Sequence, residues 1–241
     1  MRRRYLGVVI VGVLAAAAAV SATAGGAATS VHRGPIHKLT NSTSTNWSGY
    51  AVTGSRFTSV SSSWTEPTVS CSGTAYSSFW VGLDGDTSGT VEQTGTDADC
   101  SGSTPQYYAW YEMYPKFPVN LRGTVRPGDK LSASVTTDGR GGFTLTISDS
   151  TQGWTNTTNA RLKSAKLASA EVIAEAPSGS GGVLPLANFG TVSFTSAKAN
   201  GALLTSSTPN IDPITMASGS TVKAQPGNIS SGNFSVTWKH S

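Results

Sequence analysis

The residue types that could do acid–base chemistry in this chain are a narrow set. There are 13 Asp and Glu, 3 His and 2 Cys. The histidines are His32, His37 and His240, so residues 41–239 contain no imidazole. Ser-His-Asp and Cys-His machinery both need an imidazole to carry the proton. Ordinary zinc sites draw on His and Cys ligands. Neither a P-loop nor a dinucleotide fingerprint occurs. Asp84, Asp86, Asp97 and Asp99 would be the donors of any calcium site, but no Asp-x-Asp-x-Asp-Gly loop is present. No metal and no cofactor are therefore expected. Proton transfer falls to the carboxyl groups.

Most carboxylates stand in turn-like surroundings, among them Asp129, Asp138, Asp149 and Asp212. Glu92, Glu112, Glu171 and Glu175 differ, because they lie within strand-like segments. In Ala170-Glu171-Val172-Ile173-Ala174-Glu175, positions 171, 173 and 175 share one face of a strand. A Glu on an inward face is desolvated, which raises its pKa and makes it a candidate acid or base. An edge strand with its Glu in water fits the same pattern. Aspartic-protease chemistry needs two Asp in Asp-Thr/Ser-Gly loops. Asp86-Thr87-Ser88-Gly89 is an imperfect match and has no second copy. A glycosidase with paired carboxylates stays open. So does a glycan-binding sandwich without catalysis, its groove lined by Trp47, Trp64, Trp80, Trp110, Tyr107, Tyr108, Tyr111 or Tyr114. Those rings serve equally well as core.

The elements that must position these groups read as strands. Phe143-Thr144-Leu145-Thr146-Ile147 alternates apolar with polar, as do Val192 to Phe194 and Phe234 to Trp238. Further strands are expected at 47–53, 58–65, 77–83, 90–94, 106–114, 131–136 and 170–175. Turn signals recur at short intervals, such as Arg126-Pro127-Gly128-Asp129 and Pro226-Gly227-Asn228. The best helical stretch after the N-terminal segment is 160–170, and it is short. Many short antiparallel strands predict an all-β sandwich or jelly roll in one domain, residues 46–241. Ser and Thr number 66 and Gly 27, while charged residues are 12% of the chain, which suits such a fold better than a helical bundle.

The N-terminus reads as an address. Arg2, Arg3 and Arg4 precede an apolar run from Leu6 to Val20 and an Ala22-Thr23-Ala24 cleavage site, the layout of a signal peptide over 1–24. Residues 25–45 read as a flexible linker or short pro-segment. Export is thus expected, with no membrane contact once the signal is removed. Cys71 and Cys100 are then most simply a disulfide, contributing about 3–4 kcal/mol in the chain-entropy model. Five of the 17 basic residues (Arg2, Arg3, Arg4, Arg33, Lys38) precede residue 41, where there is no acid. The body has 12 basic against 13 acidic residues, so no nucleic-acid partner is expected. Asn41, Asn46, Asn156 and Asn228 open N-x-S/T sequons, which are frequent by chance in so hydroxyl-rich a chain.

Six short motifs occur in order: Asn46-Trp47-Ser48-Gly49-Tyr50, Phe79-Trp80-Val81-Gly82-Leu83-Asp84-Gly85, Glu92-Gln93-Thr94-Gly95, Trp110-Tyr111-Glu112-Met113-Tyr114-Pro115, Ser169 to Glu175, and Leu186 to Phe194. Together they resemble the glutamic peptidases, or eqolisins, over residues 46–238. The resemblance implies a two-sheet antiparallel β-sandwich of the concanavalin-like kind, with a cleft across one concave sheet. It implies acid endopeptidase activity on polypeptide substrates, a catalytic dyad of Gln93 and Glu175, and cleft residues Trp47, Trp80, Asp84, Trp110, Glu112 and Tyr114. It implies a secreted monomer that works without a cofactor. This chain departs from the fungal pattern at Tyr108, where an acid is usual, at Met113, where Trp is common, and at Ala176-Pro177. Physically, ionised Glu175 would take a proton from a water that attacks the peptide carbonyl, while the neutral Gln93 amide donates to the oxyanion. A Glu of reference pKa about 4.3 suits acid conditions.

Overall fold

Alternating apolar and small polar residues organise this chain into strands. The computed structural model describes residues 38–40, 43–54 and 56–241. In chain order the strands are β1 (Lys38–Thr40), β2 (Thr43–Ser44), β3 (Trp47–Thr53), β4 (Ser59–Thr65), β5 (Ser78–Leu83), β6 (Val91–Ser101), β7 (Thr104–Tyr114), β8 (Val119–Asn120), β9 (Lys130–Thr137), β10 (Gly142–Asp149), β11 (Trp154–Arg161), β12 (Ser169–Glu175), β13 (Ser178–Gly179), β14 (Gly182–Val183), β15 (Thr191–Ala199), β16 (Ala202–Leu203), β17 (Ile211–Ser218), β18 (Thr221–Pro226) and β19 (Phe234–Trp238). Among the described residues there is no helix. The stretch 160–170 ends β11, turns, and starts β12. The expected signal peptide lies outside the described residues, as does most of 25–45. Within that stretch, Lys38–Thr40 and Thr43–Ser44 form β1 and β2 rather than linker.

The strands make two layers. One runs β8-β7-β6-β5-β12-β3-β17. The other runs β11-β10-β9-β4-β15-β19-β18-β17. β17 pairs with β3 through Ile211–Ile214 and with β18 beyond Met216, so it joins the layers along one edge. Pairing within each layer is antiparallel; β2 lies parallel beside β17, and β13 and β14 form a separate hairpin. The fold is the expected all-β architecture.

The main core fills the space between the layers. Phe79, Val81, Leu83 and Val172 from the first layer meet Leu145, Ile147, Phe194 and Val236 from the second. This is what period-two alternation requires, since every second residue of each layer points to the same interior. Trp64 belongs to this core and packs on Phe194. Cys71 and Cys100 are joined, closing a loop across a sequence separation of 29. Glu66 is buried in the same interior, where its Oε2 accepts from Thr96 Oγ1 at 2.6 Å and Trp64 Nε1 at 3.3 Å.

Candidate active site

The first layer has a second face, turned away from the main core, and its register decides what stands there. Glu175 of β12 is opposite Ser78 of β5 and Trp47 of β3. Two residues along, Ile173 is opposite Trp80 and Gly49, and two further, Glu171 is opposite Gly82 and Ala51. Across β5 and β6, Trp80 meets Gly95 and Gly82 meets Gln93. Across β6 and β7, Gln93 meets Glu112 and Gly95 meets Trp110. Opposed residues share a face. Trp47, Trp80, Gln93, Trp110, Glu112, Glu171 and Glu175 therefore all stand on this one. Its apolar members, Trp47, Ala51, Trp80, Val91, Trp110, Ile173 and Ile214, form a cluster separate from the main core, with Tyr108 and Tyr114 packed against it.

Trp80 adjoins both proposed reactive groups. Its Nε1 donates to Glu175 Oε2 at 2.8 Å. The far edge of its ring lies over Gly82, beside the Gln93 side chain. A Cβ on Gly82 would meet Trp80 Cζ3 at 2.9 Å and Gln93 Cβ at 3.1 Å. Glycine at 82 thus leaves the room that the edge of the indole occupies beside Gln93. Trp47 packs edge-on against Trp80, their ring centroids 4.9 Å apart.

Each reactive side chain has a further holder. Glu175 Oε1 accepts from Asn46 Nδ2 at 3.3 Å. Asn46 is fixed by a serine turn: Ser44 Oγ donates to Asn46 Oδ1 at 2.9 Å and accepts from the Asn46 and Trp47 backbone N–H groups. On the other side, Gln93 Nε2 donates to Glu112 Oε2 at 3.0 Å. An amide nitrogen has two hydrogens, so directing one at Glu112 sets the direction of the other.

Glu171 shares the row of Gln93, across Gly82. It is fully buried, with the Ser169 hydroxyl two residues along the same strand beside it. Burial, with Asp86, Asp84 and Glu92 nearby, holds its carboxyl well above the ordinary range. Glu92 is opposite Leu83 on the inner face; burial and the adjacent Asp84 push it up to about 9.

Among the residues expected at the site, seven are brought to this face: Gln93, Glu175, Trp47, Trp80, Trp110, Glu112 and Tyr114. Asp84 is turned elsewhere. Its carboxylate accepts from the backbone N–H groups of Lys166, Leu167 and Ala168 at 2.7–2.8 Å, pinning the loop before β12. The aromatic set also divides. Trp64 is in the main core, and the Tyr107 hydroxyl accepts from the Val69 N–H. Asn46 and Ser44 were missed as holders of Glu175, because a turn bond leaves no spacing signal in the sequence. The sequon at Asn46 is fully buried.

A model of the peptidase A4 family matches residues 45–238. Aspergillopepsin-2 of Aspergillus niger is 29% identical over 181 residues, covering 65% of this chain and 64% of that protein. Scytalidopepsin B of Scytalidium lignicola is 37% identical over 110 residues, covering 45% of this chain and 41% of that protein. The chain thus spans less than two thirds of the length of these curated relatives. Among solved structures, scytalido-glutamic peptidase with a transition state analog inhibitor superposes with a TM-score of 0.72 at 27% identity, over 81% of this chain and 98% of that one. Aspergilloglutamic peptidase from Aspergillus niger gives 0.61 at 25% identity, over 68% of this chain and 99% of that one.

Proposed function

The chain belongs to the peptidase A4 family, and from that premise we propose that it is an exported glutamic endopeptidase that hydrolyses polypeptides in acid by a Glu175–Gln93 dyad. The observation that carries this reading is Trp80, whose one edge hydrogen-bonds Glu175 while the other lies beside Gln93. A carboxylate and an amide are thereby set on one face, both beside the same indole.

The chemistry follows from the two groups. Ionised Glu175 accepts a proton from a water as that water attacks the scissile carbonyl carbon. The Asn46 and Trp80 donors fix the orientation of the carboxylate while it does so. Negative charge develops on the carbonyl oxygen, and the Gln93 amide N–H donates to it, oriented by Glu112. Glu175 then returns the proton to the leaving nitrogen. No covalent intermediate forms. Similarity to a glutamic peptidase solved with a transition state analog supports the reading.

The test is digestion of an unstructured protein at about pH 3–4. Glu175→Gln removes the base and keeps its shape; kcat/KM is expected to fall at least about 1,000-fold. Gln93→Ala removes the oxyanion donor, with a loss of about 100–1,000-fold. Both variants are expected to keep the wild-type circular dichroism spectrum. Full activity in either one overturns the assignment.

A further inference from the structure

The apolar cluster on the face of Glu175 and Gln93 leaves few of its rings open. Trp47, Trp80 and Trp110 are each 0% exposed. The partly exposed rings packed against the cluster are Tyr108 and Tyr114, both on β7. Tyr114 stands among the residues expected in the cleft. Tyr108 was not expected there, and the register gives it a definite place. It is opposite Asp97, Asp97 is opposite Ser78, and Ser78 is opposite Glu175, so Tyr108 shares the row of the proposed base. From Trp80 it is two strands across and two residues along. At about 4.8 Å per strand and 3.4 Å per residue, that is roughly 12 Å. An extended peptide covers such a distance in about three or four residues.

The hydroxyl of Tyr108 is committed to a carboxylate. It donates to Asp99 Oδ2 at 2.7 Å, while Asp99 Oδ1 accepts from the Ser77 N–H at 3.1 Å. Asp99 is 5% exposed, and Asp97, opposite Tyr108, is 0% exposed. Strands β5, β6 and β7 contain no Lys, Arg or His. A carboxylate opened to the cleft there would draw a cationic side chain from the substrate, with no cation of those strands to compete. The bond to Asp99 also fixes the ring, so less freedom is lost when something packs on it. A fixed, partly exposed ring gains most from an apolar partner, at about 25 cal/mol per Å² buried.

We propose that Tyr108 is a specificity-determining residue of the cleft: its ring receives an aliphatic or aromatic side chain of the polypeptide, three or four residues from the scissile bond, and its hydroxyl keeps Asp99 from selecting Lys or Arg at that place. The proposal rests on the peptidase reading and names which substrates that site prefers.

The test uses peptides identical except at one position, the third or fourth residue on either side of the scissile bond, which is Leu or Lys. The readout is the ratio of kcat/KM for the Leu and Lys peptides. At one of these positions the parent enzyme is expected to favour Leu by at least about tenfold. Tyr108→Ala should lower that ratio at least about tenfold, and Tyr108→Phe, which keeps the ring, should fall between the two. Tyr108→Thr is a second truncation, with a side chain suited to a strand. Adding Asp99→Asn to either truncation should take away the gain of the Lys peptide. Loss of folded enzyme lowers both rates together, so a purely structural role for Tyr108 leaves the ratio where it was. No preference for Leu in the parent, or an unchanged ratio in both truncations, overturns the role of Tyr108 and leaves the peptidase reading standing. A gain of the Lys peptide that survives Asp99→Asn overturns the masking of Asp99. A parent that cleaves neither these peptides nor casein sinks the peptidase reading, and this inference with it.

Discussion

Trp80 is the residue on which the site's geometry turns. It touches the carboxylate through Nε1 and the amide's neighbourhood through its ring edge. Trp80→Phe keeps an aromatic ring in the cluster and removes the N–H. The substitution removes one of the two donors described above, so the proposed base is less well aimed. The expected result is a 10- to 100-fold fall in kcat, with KM within about threefold, because orientation matters more in the transition state than in binding. Steady-state kinetics on a short peptide would show it; an unchanged kcat would mean that Trp80 only packs. Gln93 and Glu175 were legible because each sits in a short run of distinctive neighbours. Glu112 and Trp80 were legible in the same way. Asn46 and Ser44 were not, since their contribution is a turn bond and a 3.3 Å contact across 129 residues of sequence. Asp84 was read as a cleft residue; its motif is there, but its carboxylate caps the backbone of 166–168.

At the scale of elements, the site depends on how close β5, β6 and β12 approach. Gly95 lies on the reactive face opposite Trp80, and a Cβ there would stand 2.2 Å from Phe79 O and 2.6 Å from Trp80 Cβ. Neither atom is the end of a flexible side chain, so β5 and β6 would have to part. Gly95→Ala is expected to cost about 2–3 kcal/mol, seen as a lower urea midpoint with unchanged m value. It should also cost activity, because Gln93 rides on the same strand; a neutral effect would show that β6 shifts freely. Strands with an apolar face were legible: 47–53 and 170–175 match β3 and β12 almost residue for residue. β6 was expected only at 90–94 but runs to Ser101. Its second half, Gly95 to Ser101, is small and acidic, and it is a strand because β5 and β7 pair with it on both sides. β11 was missed because Trp154-Thr155-Asn156-Thr157-Thr158-Asn159 has almost no apolar residue to alternate, and its pairing with β10 carries it. β17 was missed because Pro213 interrupts the pattern; it survives as a strand that changes layers.

At the scale of the whole molecule, the carboxyl groups set the pH range in which this fold is stable. Glu66 is 1% exposed between the layers, and burial pushes it up to about 8. Glu92 is pushed up to about 9, and Glu171 well above the ordinary range. Each is raised above the value near 4.5 that it has when unfolded. Each therefore binds its proton more tightly in the folded state, and its contribution is complete below about pH 4.5. That contribution is lost progressively as pH rises through about 8 for Glu66 and about 9 for Glu92. At about 1.4 kcal/mol per pH unit, Glu66 alone accounts for a loss on the order of 4 kcal/mol between pH 4.5 and 8. Most small domains are most stable between about pH 5 and 8; this one is expected to be most stable near pH 4. Urea midpoints at pH 4, 6 and 8 should fall steadily. Glu66→Gln keeps an acceptor for Thr96 Oγ1 and Trp64 Nε1 without a titrating group. It should therefore cost little at pH 4, raise the midpoint at pH 8, and flatten the slope between them. A variant as pH-dependent as the parent would place the loss of stability outside Glu66, and a parent with a flat profile would mean that the buried acids leave the interior before they ionise.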